Sequence, residues 1–493
     1  MRLRIKNFNW LAGRPVVILN ENAAKKLNVH VDDRILISNS KKIYAVVDIF
    51  NKIVKDSEIG LSNEISSLLE ARDRSFVDVS PSQISLASQL IRKKLMGEKL
   101  SGKEFNTLIS EIVHNNLTEA ELAFFTAAEK AQGMTLKETV ELTKAMVKNG
   151  KTLKFNKKIV ADKHSIGGIA GNRTTPIVVS ICAAAGLTIP KTSSRAITSA
   201  SGTADVVETI ANVEFSAKRL KEIVEKTNAC LAWGGSLGLA PSDDKIIYVE
   251  RILNLDIEPQ LLASIISKKI SAGSKYILID IPYGKSAKVK DKKQAENLGK
   301  KFMRIAKYFH IRVKAVYTDG KQPIGRGIGP VLEMMDVLKV LKNEKDAPED
   351  LRKKSLYLSA ELMKLCRIKN PEKLAEEILN SGKALEKFKE IINEQNSKNN
   401  FDEKVKSLKL ARFSRTILSK KTGKITSIDN KKINSLCRIL GTPETVSAGV
   451  FLHSHLEKIR KGEKLMTLYS ESRVKLNDAG RYIKDSKPII IKQ

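Results

Sequence analysis

A chain of 493 residues that is 42% hydrophobic and 29% charged is too long for one core and reads as a soluble protein of about three domains. Lys and Arg total 87 against 55 Asp and Glu, a formal charge of +32, but the lysines are spread along the chain and only 5% of residues are aromatic. That pattern argues against nucleic acid as the main partner and for a surface that attracts phosphorylated small molecules.

The N-terminus, Met1-Arg-Leu-Arg-Ile, has no signal-peptide core, and the longest apolar stretch, Pro176 to Pro190, is too short and interrupted to span a bilayer. A cytoplasmic protein with no membrane partner is expected. Residues 1–84 alternate apolar and polar residues in short bursts and predict a small β-rich N-terminal module. From Ser85 three capping boxes, Ser101 with Glu104, Thr118 with Glu121 and Thr135 with Glu138, predict a helical lobe over 85–157. Residues 158–236 alternate short strands, glycine loops and helices, the pattern of an α/β domain. Helical character returns over 237–270, as a second part of the helical lobe, and strand texture resumes from Tyr276, so 271–413 is expected to complete the α/β domain. Residues 414–493 predict a C-terminal α+β domain. The fold class is therefore α/β: a helical lobe plus a mixed α/β sheet domain, flanked by the β-rich module and the α+β domain. Cys182, Cys230, Cys366 and Cys437 lie far apart, without disulfide or metal-ligand spacing, and are expected to be buried thiols.

Two loops carry the chemistry. Lys163-His-Ser-Ile-Gly-Gly follows a strand ending at Ala161 and precedes a helix opening near Thr175-Pro176, with Thr as N-cap and Pro at the first helical position. Glycines let backbone N–H groups approach an anion, and the helix N-terminus, the Lys163 ammonium and the Ser165 hydroxyl add to the attraction. The second loop, from Lys191 to Asp205, follows a strand over 187–190 and precedes a helix beginning around Ala204; it packs hydroxyls around Arg195. Loops after adjacent strands converge at the carboxyl edge of a parallel sheet, where α/β proteins bind ligands.

At these residues the chain resembles the thymidine phosphorylase family: Ser193 to Glu208 matches its motif S-x-R-x-x-x-x-x-x-G-T-x-D-x-x-E, with Ser201 standing where Gly or Ala is usual, and Lys163-His-Ser-Ile-Gly-Gly resembles its phosphate loop. Leu239-Ala-Pro-Ser-Asp-Asp, Ala263-Ser-Ile-Ile-Ser-Lys-Lys, Asp280-Ile-Pro-Tyr-Gly-Lys and Gln322-Pro-Ile-Gly-Arg-Gly-Ile-Gly extend the likeness. The N-terminal module, Gly171-Asn-Arg-Thr-Thr and Trp233-Gly-Gly resemble the archaeal AMP phosphorylase branch.

The resemblance implies attack of phosphate on C1′ of a nucleoside 5′-monophosphate, giving free base and ribose 1,5-bisphosphate, with AMP, CMP and UMP as substrates. It requires no metal or organic cofactor, inorganic phosphate being a co-substrate. By motif position, phosphate is expected at Lys163, Ser165, Thr175, Ser193 and Thr203, and nucleotide at Gly168, Ser194, Arg195, Ala196, Ile197, Thr198, Ser199, Thr203, Ser264 and Lys288. Asp256 matches the family's proton donor and would need burial or neighbouring negative charge to hold its proton at neutral pH. Arg251 and Lys268 fall near the positions that hold base carbonyls in the pyrimidine enzymes. The family also implies a homodimer or larger homo-oligomer. Competing expectations are a thymidine or pyrimidine nucleoside phosphorylase, and a non-catalytic basic RNA-binding protein on the same fold.

Overall fold

A computed structural model of the protein describes all residues except 13, 14, 40, 71, 82–85, 197, 198, 253, 254 and 493, together with the Arg251 side chain. The expected nucleotide contacts Ile197 and Thr198, and the expected lobe start at Ser85, lie outside the described residues. The chain forms two compact units, Met1–Asn149 with Ala240–Ser264, and Gly150–Leu239 with Ile265–Gln493.

The first unit opens with six strands, β1 (Arg2–Asn7), β2 (Val16–Leu19), β3 (Arg34–Ser38), β4 (Lys42–Ile49), β5 (Glu58–Leu61) and β6 (Phe76–Pro81), closed into a barrel in the order β1-β5-β2-β4-β3-β6. Alternate residues such as Leu3, Ile5, Ile35, Ile37, Ala45 and Val47 fill its interior, which is why the sequence shows a period of two. Closure leaves no strand edge open to another chain. The helices that follow, Gly102–Val113, Glu119–Gln132 and Leu136–Lys148, start at Ser101, Thr118 and Thr135, and each forms its capping box. They pack with Leu86–Leu95 and with Pro241–Ile252 from the later stretch of chain, around Phe105, Leu108, Phe125, Met146 and Ile246. Arg34 of the barrel stands 3.3 Å from Glu121 of the bundle.

The second unit holds β7 (Ala161–Ser165), β8 (Ile189–Ser193), β9 (Ala229–Trp233), β10 (Tyr276–Tyr283) and β11 (Arg312–Asp319). Strands β11, β10 and β7 pair in parallel, as do β8 and β9, and a parallel bridge from Val160 to Thr188 links the two groups. The helix Thr174–Ala184 is buried on nearly every side, the fate of a helix apolar all round, so the Pro176–Pro190 stretch is core. Among the described residues no helix is long and apolar enough to cross a membrane. Near the C-terminus, Phe413–Leu418, Gly449–Leu452 and Lys464–Ser470 pair antiparallel, and Gly327–Ile328 adds a fourth strand to them from far upstream. The expected α/β class is the observed one.

Three local expectations need correction. Strand β7 runs on to Ser165, because Ala161 to Ser165 pair residue by residue with Tyr276 to Asp280, so Lys163, His164 and Ser165 stand on the strand and not on the loop after it. In the same way β8 reaches Ser193, held by pairing with β9. The helix expected to open at Thr175-Pro176 begins at Thr174, with Arg173 in the capping position and no side-chain cap. The threonine hydroxyls meet Lys163 instead.

Candidate functional site

Strand ends bring the hydroxyls and cations of the second unit together. Ser165 pairs in register with Asp280 on β10. A parallel bridge from Val160 to Thr188 sets β7 beside β8, whose carboxyl end bears Ser193. Among the described residues, Ser193 Oγ and Asn172 Oδ1 are buried without a hydrogen-bond partner. Buried polar atoms are usually paired, so two such atoms near one set of strand ends mark a place suited to a polar ligand.

Lys163 is 1% exposed, and its ammonium donates to Thr174 Oγ1 at 2.8 Å and to Thr175 Oγ1 at 3.4 Å. Burial lowers its pKa to about 8, with Asp280 opposing that shift and Lys354 and Arg173 adding to it. Ser165 Oγ donates to Asp280 Oδ2 at 3.1 Å and accepts from Asn172 Nδ2 at 3.4 Å. Asp280 also accepts from Thr318 at 2.6 Å and pairs with Lys354 at 3.2 Å. Burial pushes its carboxyl up, but Lys354 and Lys163 outweigh that and leave it below the ordinary carboxylate value.

The second loop is held by carboxylates. Asp205 accepts the backbone N–H groups of Ala196 and Gly202, each at 2.7 Å, and the helix Thr203–Glu208 starts from Gly202. A Cβ on Gly202 would come within 2.4 Å of the Ser194 carbonyl, so the loop closes this tightly only over glycine. Arg195 stacks over the Trp233 ring at 4.8 Å, pairs with Glu208 through both terminal nitrogens, and reaches Glu214 at 2.9 Å. These carboxylates raise its pKa above the ordinary arginine value. Its charge is thus engaged by the protein. Thr203 Oγ1 accepts from Arg173 at 2.8 Å, Ser199 Oγ donates to the Ser201 carbonyl at 2.9 Å, and Ser194 is exposed.

Gly168 has a φ of +85°, and a Cβ there would meet the Lys288 backbone nitrogen at 2.7 Å, so the exposed Lys288 is brought beside the glycine turn. Ser264 and Asp256 belong to the first unit. Ser264 Oγ donates to Asp243 at 2.8 Å. Asp256 is exposed, and Lys130 donates to its backbone carbonyl at 3.2 Å, so the burial expected of a proton donor is not found. The reason is local: it lies in the irregular stretch ahead of the helix Glu258–Ser271, and among its described neighbours Ile257 is the one that is buried.

Sequence reasoning missed the buried network behind the loops. Arg173 donates to Glu333 at 2.6 Å, to Thr203 Oγ1 and to the Ser201 carbonyl at 3.0 Å, and Ser201 Oγ and Gly329 N–H donate to the same Glu333 carboxylate. Ser201, the departure from the family motif, therefore fills its space with a hydrogen bond. One signal was available: Glu333 and Asp336, with Lys339, are the charged residues in an otherwise apolar helix, Pro330–Leu341. Lys354 carried none, since a lysine in a lysine-rich helix looks like surface.

Comparisons with known proteins find the following similarities. Residues 88–150 match the helical bundle domain of the glycosyl transferase family, and residues 157–385 match its a/b domain. The chain is 41% identical over 478 residues to an AMP phosphorylase of Methanococcus aeolicus, covering 96% of this chain and 94% of the relative. It is 40% identical to an AMP phosphorylase of Thermococcus kodakarensis, covering 100% and 98%. A putative thymidine phosphorylase of Legionella pneumophila is 39% identical, covering 90% and 85%. Among solved structures, anthranilate phosphoribosyltransferase of Thermus thermophilus shares the fold over 62% of this chain and 99% of its own, with a TM-score of 0.52 and 16% identity.

Proposed function

The chain belongs to the glycosyl transferase family, in its AMP phosphorylase branch, and from that premise we propose that it splits AMP, and also CMP and UMP, with inorganic phosphate. As a pentosyltransferase it joins a phosphate oxygen to C1′ while the bond from C1′ to the base nitrogen breaks. A nucleoside 5′-monophosphate then leaves ribose 1,5-bisphosphate and free base.

The observation that carries this reading is the buried Lys163 ammonium between Thr174 and Thr175, on the strand that ends at Ser165, with the Ser193 hydroxyl at the end of the neighbouring β8 buried and without a hydrogen-bond partner among the described residues. A fixed cation and preset hydroxyl donors suit a phosphate dianion, which they would hold without reorganisation as it attacks. The Thr203 hydroxyl, pinned by Arg173, extends the set. We assign Gly168, the loop from Ser194 to Ser199, Thr203, Ser264 and Lys288 to the nucleotide, and Asp256 to protonation of the departing base. The enzyme is proposed to work in the cytoplasm as a homodimer or larger homo-oligomer, with no cofactor besides its co-substrate.

Phosphate-dependent release of base from AMP, CMP, UMP, adenosine and thymidine tests the reading, with Asp256→Asn in parallel. Release from the nucleotides only when phosphate is present, slowed about 10²-fold or more in Asp256→Asn, is expected. Release from nucleosides alone would make it a nucleoside phosphorylase, and no release from any would favour the non-catalytic alternative.

A further inference from the structure

A second set of buried charges has no part in the reading above. Asp162, Lys191 and Lys269 come from β7, β8 and the helix Glu258–Ser271 and are 0%, 4% and 2% exposed. Lys269 Nζ donates to Asp162 Oδ2 at 2.7 Å, and Lys191 Nζ stands 3.4 Å from Asp162 Oδ1. Among the described residues neither lysine pairs with another carboxylate, so two ammonium groups share one. Both also turn to a single carbonyl, that of Thr192, at 2.7 Å from Lys191 and 3.5 Å from Lys269.

A buried ammonium without a carboxylate of its own is costly. For stability alone, an apolar side chain of similar volume would serve at least as well. The second cation therefore needs a reason outside the core, and the strands supply one. Alternation along β7 sends Asp162 and His164 to one face, and Lys163 and Ser165 to the other, and along β8 Lys191 shares a face with Ser193. The excess charge thus lies one or two residues behind groups assigned to phosphate, Asp162 on the face of β7 opposite Lys163 and Lys191 on the face of β8 that bears Ser193. The other titratable groups nearby are cations or neutral: Lys163, His164, Lys268 and the Cys230 thiol on β9, which lies 3.8 Å from the Lys191 carbonyl. Burial and the neighbouring lysines pull both Lys191 and His164 below their ordinary values.

We propose that Asp162, Lys191 and Lys269 form a fixed, net positive device behind the strand ends that draws and holds an anionic substrate, with the two lysines as positioning residues that do not touch it. The proposal rests on the phosphorolytic reading and deepens it.

Lys191→Met and Lys269→Met in the full-length protein test it, with inorganic phosphate as the probe and Lys191→Arg as the rescue. Each Met variant leaves a balanced lysine–aspartate pair, so its Tm should equal or exceed that of the wild type. Its phosphate Kd by calorimetry, and its KM for phosphate, should rise on the order of tenfold with kcat little changed. Lys191→Arg should restore both. Unchanged phosphate affinity in the Met variants overturns the proposal, and so does a lowered Tm in both, which would make the triad a structural clamp. If the wild type binds no phosphate, the phosphorolytic reading falls and this one with it; if it binds but the variants bind equally, only this one falls.

Discussion

Lys163 is where charge and burial conflict most directly. Its ammonium lies inside the protein, where desolvation favours the neutral amine, and burial brings its pKa to about 8. An anion needs the charged form. Phosphate affinity of the free enzyme should therefore weaken as pH rises through about 8, and Lys163→Met should remove that dependence while lowering kcat/KM by about 10²-fold or more. Stability should move the other way. The folded pKa lies below the ordinary lysine value of about 10.4, so between the two the unfolded chain binds more protons and stability rises with pH. The difference in Tm between wild type and Lys163→Met, followed from pH 7 to pH 10.5, checks the sign. The residue itself was singled out because Lys163-His-Ser-Ile-Gly-Gly resembles the family's phosphate loop. Its burial was not, because burial depends on the partners Thr174 and Asp280, which lie 11 and 117 residues further along the chain.

At the scale of elements, helix starts were the most legible feature, because a capping box is written within four residues. Thr135 and Glu138 illustrate how tertiary structure adds to such a device. Glu138 caps the helix Leu136–Lys148 and also accepts from the buried ammonium of Lys94 at 2.8 Å. Thr135→Ala should cost about 1 kcal/mol, the usual value of a lost N-cap. Glu138→Ala removes the cap and strands a buried lysine, and should cost about 3–5 kcal/mol. The two shifts in urea-unfolding midpoint measure the contrast, and equal shifts would mean the Lys94 pair adds nothing. Strand ends were less legible. Apolar periodicity stops at Ala161, whereas β7 continues through four polar residues because β10 pairs with them. Pairing is a property of two segments, and neither shows it alone.

Over the whole molecule the net charge of +32 has a measurable consequence. Raising potassium chloride from about 0.05 to 0.5 M shortens the screening length several-fold. KM for phosphate and AMP should rise together, kcat should hold, and any residual activity on uncharged adenosine should change least. Equal effects on adenosine would point to general inhibition by salt. The course of the chain also belongs to this scale: it leaves the first unit after Asn149, returns over Ala240–Ser264, and leaves again inside the helix Glu258–Ser271. Helical texture in two separate stretches hinted at this arrangement, since an amphipathic helix must bury its apolar face against something.

Legibility followed range. The barrel's alternation, the capping boxes, the α/β rhythm and the two hydroxyl-rich loops are local patterns, each set by a few neighbouring residues, while the family and the kind of chemistry came from the resemblance of the loop motifs to the thymidine phosphorylase family. What the tertiary structure decided depends on residues far apart in the chain. Arg195 is held by Glu208, Glu214 and Trp233, Ser201 and Arg173 meet on Glu333, and Asp162 gathers two lysines from different elements. A charged side chain looks the same in sequence whether it faces water, a partner or a ligand, because desolvation and pairing, which set its energy and its role, exist only once the distant segments have packed.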